Sequence, residues 1–369
     1  MDVSPLNYKL TFEPDLKKFT FAGLESISIN CKKSVNIITM NCAELKIKSC
    51  IVKSGKKIIK STPKINEKTE ELQIKLGEKI RGLCTVDLEF KGILNDRLLG
   101  FYRSKYQQNG KTKYLATTQF EAADARRAFP CWDEPEAKAT FEISIIADNK
   151  FTAISNMPIK TKKKTGNKTT YNFQKTPLVS TYLIYLGVGE FEYLTGKAGK
   201  IQIRVVTTKG NISKGKFSLE LGKKLLTSYE KYFGIKFPLP KLDLIAVPDF
   251  AAGAMENWGA ITFRETILLY DPKTSSTRTK QFIAEVISHE IAHMWFGNLV
   301  TMKWWNDLWL NESFATFMAT KFVDKFYPEW DLWNQFVEDA MNVAMGLDSL
   351  KTTHPIDVKV NSPAEIREI

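Results

Sequence analysis

Residues 289–293 read His-Glu-Ile-Ala-His and lie inside the run FIAEVISHEIAHMWFGNL (282–299). Two of the chain's three histidines stand here, four residues apart. Because positions i and i+4 of an α-helix lie on one face, a helix through this run presents both imidazoles on the same side. Glu290 follows the first histidine by about 100° of helical rotation and therefore flanks the histidine face. The stretch thus predicts a helix that carries two nitrogen ligands and a neighbouring carboxylate.

This spacing, H-E-x-x-H, is typical of zinc hydrolases, in which the nitrogens hold the metal and the carboxylate takes a proton from metal-bound water. Such a site uses three protein ligands and leaves one position open. The remaining histidine, His354, stands just before Pro355 and reads as structural. The third ligand is therefore expected to be a carboxylate. Glu312, in the apolar run WLNESFA (309–315), lies 19 residues after His293, which leaves room for a second helix to fold back.

A lone carboxylate on an apolar helix face is costly unless it is paired or binds a metal. The alternative is a helix with two packed core histidines and a solvated glutamate. It fits less well, because histidine is scarce in this chain and concentrated here. The sequence therefore predicts one Zn²⁺ per chain, in a metal-dependent peptidase or amidase with Glu290 as general base and acid. The predicted metal ligands are His289, His293 and Glu312.

Composition and charge fit a folded protein of two or three domains: 369 residues, of which 43% are hydrophobic and 25% charged. The net charge of +12 arises in one half of the chain. Residues 1–190 contain 32 Lys and Arg against 20 Asp and Glu, whereas residues 191–369 contain 21 of each sign. A basic half can indicate nucleic-acid binding. Here the lysines are scattered through strand-like sequence without interleaved aromatic residues, so no nucleic-acid partner is predicted.

The five cysteines are odd in number and form no C-x-x-C pair, which argues against a disulfide framework and favours a reducing compartment. The first residues, MDVSP, contain neither a basic nor an apolar leader region. No run approaches the roughly 18 apolar residues that a membrane-spanning helix needs. We therefore expect a cytoplasmic protein without a membrane partner.

Residues 1–190 are predicted to be all-β. Short segments with alternating polar and apolar residues, such as 25–31, 36–40, 72–76 and 84–90, are separated by turn-forming clusters. This pattern favours a saddle-like or sandwich β domain. The stretch 117–136 differs, because many charges stand beside large aromatic residues, and it is predicted to be a packed loop held by ion pairs.

After residue 190 the pattern becomes mixed and then mostly helical. A linker is predicted around 196–199, followed by helices at about 214–233, 279–299, 308–326 and 331–347. The loop 249–259, DFAAGAMENWG, separates two short strands. The fold class is therefore α+β, with a β domain over 1–190 and a second, mostly helical domain over 191–369.

At this point the sequence resembles a known family, the M1-type zinc aminopeptidases of the gluzincin group. The motifs that carry the resemblance occur in family order across most of the chain. They are TQFEAADARRAFPCWDEP (118–135), PLPKLD (238–243), GAMEN (253–257), HEIAHMWFGN (289–298), WLNESFA (309–315) and THPI (353–356). The resemblance implies that residues 191–369 form a thermolysin-like catalytic domain and that the substrates are peptides with a free N-terminus.

The resemblance also implies substrate-binding roles. Glu256 would bind the free α-amine with help from Glu121, and Gln119 would line the first side-chain pocket. The remaining residues of the substrate-binding loop would be Gly253, Ala254, Met255 and Asn257. A cationic amine held by carboxylates places only the first peptide bond over the metal, which makes an exopeptidase. An endopeptidase of thermolysin type is disfavoured by the GAMEN loop.

One departure from the family pattern concerns the C-terminal end. In the family a tyrosine that stabilises the oxyanion follows the T-H-P-I segment, and further domains come after it. This chain ends at Ile369, where the tyrosine motif is expected to begin. We therefore expect an incomplete catalytic domain that needs a missing C-terminal segment or domains for full function. The alternative function is a truncated chain that binds zinc and peptide but is catalytically impaired.

Overall fold

A computed structural model describes residues 1–367, so the last two residues lie outside the description. The chain divides into two compact units, Met1–Phe191 and Glu192–Ile369, and each is described by itself. The predicted order, a β-rich region followed by a helical part, is confirmed. Within residues 1–367, no helix combines the length and the apolar character needed to cross a membrane.

The first unit is built mainly from β-strands. In chain order they are β1 (Val3–Asp15), β2 (Thr20–Asn41), β3 (Lys46–Ser54), β4 (Lys57–Ile59), β5 (Ser61–Asn66), β6 (Glu71–Ile93), β7 (Gly100–Gln108), β8 (Lys111–Gln119), β9 (Thr140–Asp148), β10 (Thr152–Ser155), β11 (Ile159–Thr165), β12 (Lys168–Phe173) and β13 (Leu186–Gly189). Eight of them form a sheet in the order β11-β12-β9-β1-β2-β6-β3-β4, and β5 adds a ninth strand by pairing with β6. The other four form a sheet in the order β10-β13-β8-β7.

The two sheets of this unit share one apolar core. The Phe101 ring on β7 lies 5.9 Å from the Phe12 ring on β1 and 5.2 Å from the Phe21 ring on β2, centroid to centroid. A Cβ at Gly23 would come within 2.1 Å of the Phe90 ring, so the missing side chain lets that ring lie against β2. Aromatic residues bury large apolar areas, and their contacts across the core hold the sheets together.

Two strands are much longer than the alternation of residue types predicts. The predicted segments 25–31 and 36–40 both belong to β2, and the segments 72–76 and 84–90 both belong to β6. The register between β2 and β6 shifts near Val35. In β2 the buried positions change from odd to even numbers across this shift, because a bulge reverses which side chains face the core, so one bent strand reads as two in the sequence. In β6 the buried positions stay even-numbered, and the exposed residues 77–79 interrupt the alternation between the two predicted segments.

The loop after β8 is held by ion pairs, as predicted. Arg126 contacts the buried Asp133 at 3.1 Å and Glu70 at 3.3 Å. Arg127 contacts Asp124 and Glu70, each at 2.8 Å. Removing one partner of a buried ion pair leaves an uncompensated charge, which costs about 3–5 kcal/mol. The cluster therefore ties the loop to the strands beside it.

The second unit combines one sheet with a set of helices. Its strands are β14 (Phe191–Ala198), β15 (Ile201–Thr208), β16 (Lys241–Val247), β17 (Ala254–Met255) and β18 (Ala260–Arg264), in the order β14-β15-β16-β18-β17. Its helices are α1 (Lys216–Phe233), α2 (Thr277–Ala292), α3 (Leu308–Phe326), α4 (Leu332–Phe336) and α5 (Asn342–Asp348). The predicted linker at 196–199 is wrong: these residues end β14 and turn into β15, with Gly199 in the left-handed region.

The helices match the predictions closely, with two differences. Helix α1 ends at Phe233, where Gly234 adopts a φ of +68° and caps it. The predicted helix at 331–347 contains a π-helical turn at Val337–Met341 between α4 and α5. Helix α2 ends at Ala292, several residues before the predicted end at 299, because His293 and the residues after it turn away from the helical path.

One buried group of the first unit makes a pH prediction. Glu25 on β2 is 3% exposed, and within the described residues neither carboxyl oxygen has a hydrogen-bond partner. Burial raises the pKa of Glu25 well above its ordinary value. The folded state therefore keeps this proton to a higher pH than the unfolded state, and stability must fall as the pH rises above about 4.3.

We expect Glu25→Gln, which imitates the protonated acid, to remove this loss. Relative to the variant, the unmodified chain should lose up to about 1.4 kcal/mol of unfolding free energy per pH unit as the pH rises from about 4.3 toward the raised pKa of Glu25. Urea unfolding of both proteins at several pH values measures the difference. The exposed Glu67→Gln is the control and should keep the pH dependence of the unmodified chain. Parallel pH profiles for Glu25→Gln and the unmodified chain would contradict the assignment.

Candidate active site

His289 and Glu290 lie in the last turn of α2, and His293 is the cap residue that follows Ala292. Ser276 begins the helix, and its hydroxyl accepts a hydrogen bond from the Thr279 N–H at 3.1 Å. The Tyr229 hydroxyl on α1 lies 2.9 Å from Ser288 Oγ and donates to the Ser288 carbonyl at 3.1 Å. Tyr229 is fully buried, and its ring centroid lies 4.5 Å from that of Phe322 on α3, with the ring planes tilted by 53°. One side chain thus joins the three helices immediately before His289.

Three candidate ligand atoms converge between α2 and α3. His289 Nε2 lies 2.9 Å from His293 Nε2 and 3.1 Å from Glu312 Oε2, and His293 Nε2 lies 3.7 Å from the same oxygen. A tetrahedral zinc site with bonds of about 2.0–2.1 Å separates its ligands by roughly 3.3 Å. The two imidazole nitrogens and one carboxylate oxygen therefore fit zinc in both chemistry and spacing.

Each imidazole is also contacted at its other ring nitrogen. His293 Nδ1 lies 2.8 Å from Asn311 Oδ1 and 3.0 Å from the Phe296 carbonyl oxygen, whereas His289 Nδ1 lies 3.2 Å from Thr316 Oγ1. An oxygen beside Nδ1 can accept a hydrogen bond from Nδ1–H, the tautomer in which the Nε2 lone pair can bind a metal ion. Both rings are thus arranged to present Nε2 toward Glu312.

Gly297 makes room for one of these contacts. Its φ is +126°, and a Cβ placed there would come within 2.5 Å of Asn311 Oδ1 and 3.3 Å of His293 Nδ1. A side chain at this position would therefore push Asn311 away from the imidazole. The glycine in HMWFGN is required both by its backbone conformation and by this close approach.

The charges around His293 influence one another. Burial by itself opposes a charge on His293, but Glu256, Glu312 and Glu290 together raise its pKa well above the ordinary value. Burial would raise the pKa of Glu312, yet His293 and His289 hold it well below its usual range. Two imidazoles thus stabilise the ionised carboxylate that completes the group of three.

Glu290 lies on α2 beside this group and is 6% exposed. Burial raises its pKa well above the ordinary value, and Glu256 and Glu312 add to the effect while His293 opposes it. One of its carboxyl oxygens is buried without a hydrogen-bond partner in the described residues. A buried acid with a raised pKa and an unused oxygen is suited to accept and release a proton.

Glu256 is carried by a hairpin at the edge of the five-stranded sheet. β17 pairs antiparallel with β18, with Met255 opposite Thr262. The Arg264 side chain donates to the carbonyls of Phe250 and Ala251, at 3.1 and 2.6 Å, where the hairpin begins. At the other end, the buried Lys241 ammonium donates to the Gly259 carbonyl at 2.8 Å. The hairpin is therefore fixed at both ends.

The Glu256 side chain is 3% exposed, and burial raises its pKa, with Glu312 adding to the rise and His293 opposing it. The Asn298 amide donates to the Glu256 backbone carbonyl at 2.8 Å. This bond ties the hairpin to the segment just after His293. Glu256, Glu290 and Glu312 therefore surround His293.

The other loop residues that were predicted to bind substrate differ in exposure and in hydrogen bonding. Met255 and Asn257 are buried, and the Asn257 amide donates to Thr262 Oγ1 at 3.1 Å. Gly253 accepts a backbone hydrogen bond from Arg264, and Ala254 begins β17 with partial exposure. Of these residues, Gly253 and Ala254 are the more accessible.

Gln119 and Glu121 belong to the first unit. Gln119 is the last residue of β8, and Glu121 begins the turn that leads into the ion-pair loop. Both side chains are partly exposed. Their position at a strand end, in a segment braced by Arg126 and Arg127, gives them a defined backbone.

Reasoning from the sequence did not identify Asn311, Thr316 or Tyr229. Thr316 follows Glu312 by four residues on the same helix face, and Asn311 directly precedes Glu312, so a search for hydrogen-bond acceptors near Glu312 on this helix could have found them. Tyr229 lies within the helix predicted at about 214–233. The contact of its hydroxyl with Ser288 depends on how α1 and α2 cross, and a local sequence pattern does not predict that crossing.

Two family models match the chain. The Peptidase M1 N-terminal domain matches residues 4–183, and the Peptidase family M1 domain matches residues 217–369. Together the matches cover both units and include all of the candidate ligands.

Curated relatives align along nearly the whole chain. Aminopeptidase M1 of Arabidopsis thaliana is 45% identical over 99% of this chain and 42% of its own length. Aminopeptidase 2, mitochondrial, of Saccharomyces cerevisiae is 44% identical over 100% of this chain and 39% of its own. Puromycin-sensitive aminopeptidase of Caenorhabditis elegans is 43% identical over 99% and 39%. The chain thus spans about two fifths of the length of these relatives, and it belongs to peptidase family M1.

Proposed function

We propose that the protein is a zinc aminopeptidase that releases N-terminal residues from peptides. The observation that carries this proposal is the convergence of His289 Nε2, His293 Nε2 and Glu312 Oε2 within 3.7 Å, with both Nδ1 atoms next to oxygen atoms. These three residues would hold one zinc ion per chain. The relatives named above are aminopeptidases, which supports this assignment.

When bound, zinc supplies Lewis-acid chemistry that makes water a stronger acid and polarises a carbonyl oxygen. Glu290 is the general base: its carboxylate takes the proton of the attacking water. The same carboxyl then delivers that proton to the leaving amine as the peptide bond breaks. The buried position of Glu290 keeps bulk water from competing for this proton.

Glu256 supplies the selectivity for a free chain end. Its buried carboxylate binds the substrate's α-ammonium, and a charge-assisted hydrogen bond of this kind is stronger than a neutral one. Binding the terminal amine at a fixed distance from Glu290 leaves only the first peptide bond in position to react. Gly253 and Ala254 contact the peptide backbone, while Met255 and Asn257 shape the loop.

Several parts of the proposal rest on the family resemblance. Glu121 assists in binding the amine, and Gln119 lines the pocket for the first side chain. A domain boundary near residue 190, a saddle-shaped first domain, a thermolysin-like second domain and a cytoplasmic location also stay predictions.

A second candidate function is peptide and zinc binding with impaired turnover. The observation that favours it is that the chain spans about two fifths of the length of its relatives. The aminopeptidase activity proposed above therefore refers to a protein of the relatives' full length. Turnover of an aminoacyl amide by the 369-residue chain, measured against its zinc content, separates the two functions.

We expect Glu290→Gln to lower kcat for leucine amide by about 10²–10⁴-fold, because the amide cannot accept the proton. Zinc content should stay at one ion per chain, since Glu290 is not a proposed ligand. Timed hydrolysis assays measure kcat, and elemental analysis measures the zinc content. Glu285→Gln, one turn earlier on α2, is the matched control and should retain turnover. Unchanged kcat in the Glu290 variant would remove its proposed role.

We expect Glu256→Gln to raise KM for peptides with a free N-terminus, because the charge-assisted contact to the ammonium is lost. The preference for free over N-acetylated peptides, expressed as a ratio of kcat/KM values, should fall by about 10–100-fold. Glu265→Gln, just after β18, is the control and should keep the preference. If the unmodified protein cleaves acetylated and free peptides equally well, an endopeptidase assignment replaces the present one.

A further inference from the structure

The two histidines of the site differ in how their second ring nitrogen is supported. His293 Nδ1 lies next to two oxygen atoms, the Asn311 side-chain oxygen at 2.8 Å and the Phe296 carbonyl at 3.0 Å. For His289 Nδ1, the hydrogen-bond contacts of residues 1–367 include one group, the Thr316 hydroxyl at 3.2 Å. The orientation of the His289 ring therefore depends on Thr316 far more than that of His293 depends on any single residue.

Helix α3 contacts both edges of the His289 ring. Thr316 follows Glu312 by four residues, so both side chains leave the same face of the helix. Glu312 Oε2 lies 3.1 Å from Nε2, while Thr316 Oγ1 lies 3.2 Å from Nδ1. A rotation of the ring about its bond to Cβ would break one or both contacts. One helix thus fixes both the position and the plane of this imidazole.

The chemistry of a hydroxyl makes this contact different from those of His293. A carbonyl oxygen only accepts hydrogen bonds, whereas a threonine hydroxyl can accept or donate. For Nε2 of His289 to offer its lone pair, Nδ1 must carry the proton, and Thr316 must then accept. Thr316 is exposed, so its own hydroxyl proton can go to solvent water. A neutral hydroxyl orients the ring without adding charge to the site.

We propose that Thr316 is a positioning residue that sets the plane and the Nδ1–H tautomer of His289 and thereby sets the zinc affinity of the site. This inference rests on the zinc-binding part of the proposed function. Groups that orient a ligating histidine typically change metal affinity by about 10–100-fold when they are removed. Thr316 binds neither substrate nor metal itself.

Thr316→Val tests the proposal with little change of shape, because valine keeps the branched side chain and removes only the hydroxyl. We expect the zinc dissociation constant, measured by competition with a chromogenic chelator, to rise about 10–100-fold. Thr316→Ser restores the hydroxyl and should bind zinc within about threefold of the unmodified chain. Ser313→Ala removes an exposed hydroxyl from the same helix and should leave the affinity unchanged. Circular dichroism confirms that all variants are folded.

The Nδ1–H groups of the zinc-loaded protein provide a second measurement. The chain has three histidines, so ¹⁵N-histidine labelling gives three ring spin systems, and His354→Gln identifies one of them. With zinc on Nε2, Nδ1 carries the proton, and we expect the His289 Nδ1–H to exchange with solvent faster in Thr316→Val than in the unmodified chain, because its acceptor is lost. The His293 Nδ1–H has the Asn311 and Phe296 oxygens as acceptors and should exchange at the same rate in both proteins.

The outcomes separate this inference from the proposed function. If the unmodified chain binds zinc and Thr316→Val binds it equally well with unchanged Nδ1–H exchange at His289, Thr316 is an ordinary surface residue and the inference fails while the proposed function stands. If the unmodified chain binds no zinc, the proposed function fails, and the role of Thr316 in zinc affinity fails with it.

Discussion

The second unit, which carries the candidate site, depends on the contact between α2 and α3. Each helix alone carries side chains that are unfavourable in apolar surroundings: two imidazoles on α2 and a carboxylate on α3. Their approach within 2.9–3.7 Å turns three costly groups into one mutually stabilised cluster. The neighbouring contacts serve this arrangement, since Tyr229 joins α1 to α2 and Gly297 lets Asn311 approach His293.

The first unit uses charge differently. Its ion pairs among Arg126, Arg127, Asp133 and Glu70 stabilise a loop that has no regular strand pairing of its own. Mutual attraction and hydrogen bonds compensate the partly buried charges, so the loop gains a defined backbone without a sheet. Glu25 is the opposite case, a buried acid within the core that is stable there in its neutral form. The same unit therefore contains a buried carboxyl group that is ion-paired, Asp133, and one that is not, Glu25.

Much of the site could be predicted from the sequence because its parts are local. The four-residue spacing of His289 and His293 defines a helix face, and the scarcity of histidine makes that face conspicuous. Helix α3 was predicted with its observed bounds, since Pro328 and the apolar period mark them. The strands β2 and β6 were divided wrongly, because a bulge reverses the alternation within β2 and an exposed stretch interrupts it within β6. Asn311 and Thr316 were missed, because their roles exist only where two helices meet.

The early end of α2 also affects the electrostatic field at the site. Peptide dipoles in a helix add up to roughly half a negative charge at the C-terminus, and the effect is confined to the last turn. Because α2 stops at Ala292, His289 lies in that turn and His293 directly follows it, whereas a helix that continued to residue 299 would move its negative end about 10 Å away. The backbone itself therefore favours a cation here, before any side chain is counted. The fold contributes a bias in charge that would persist if the carboxylate ligand were replaced.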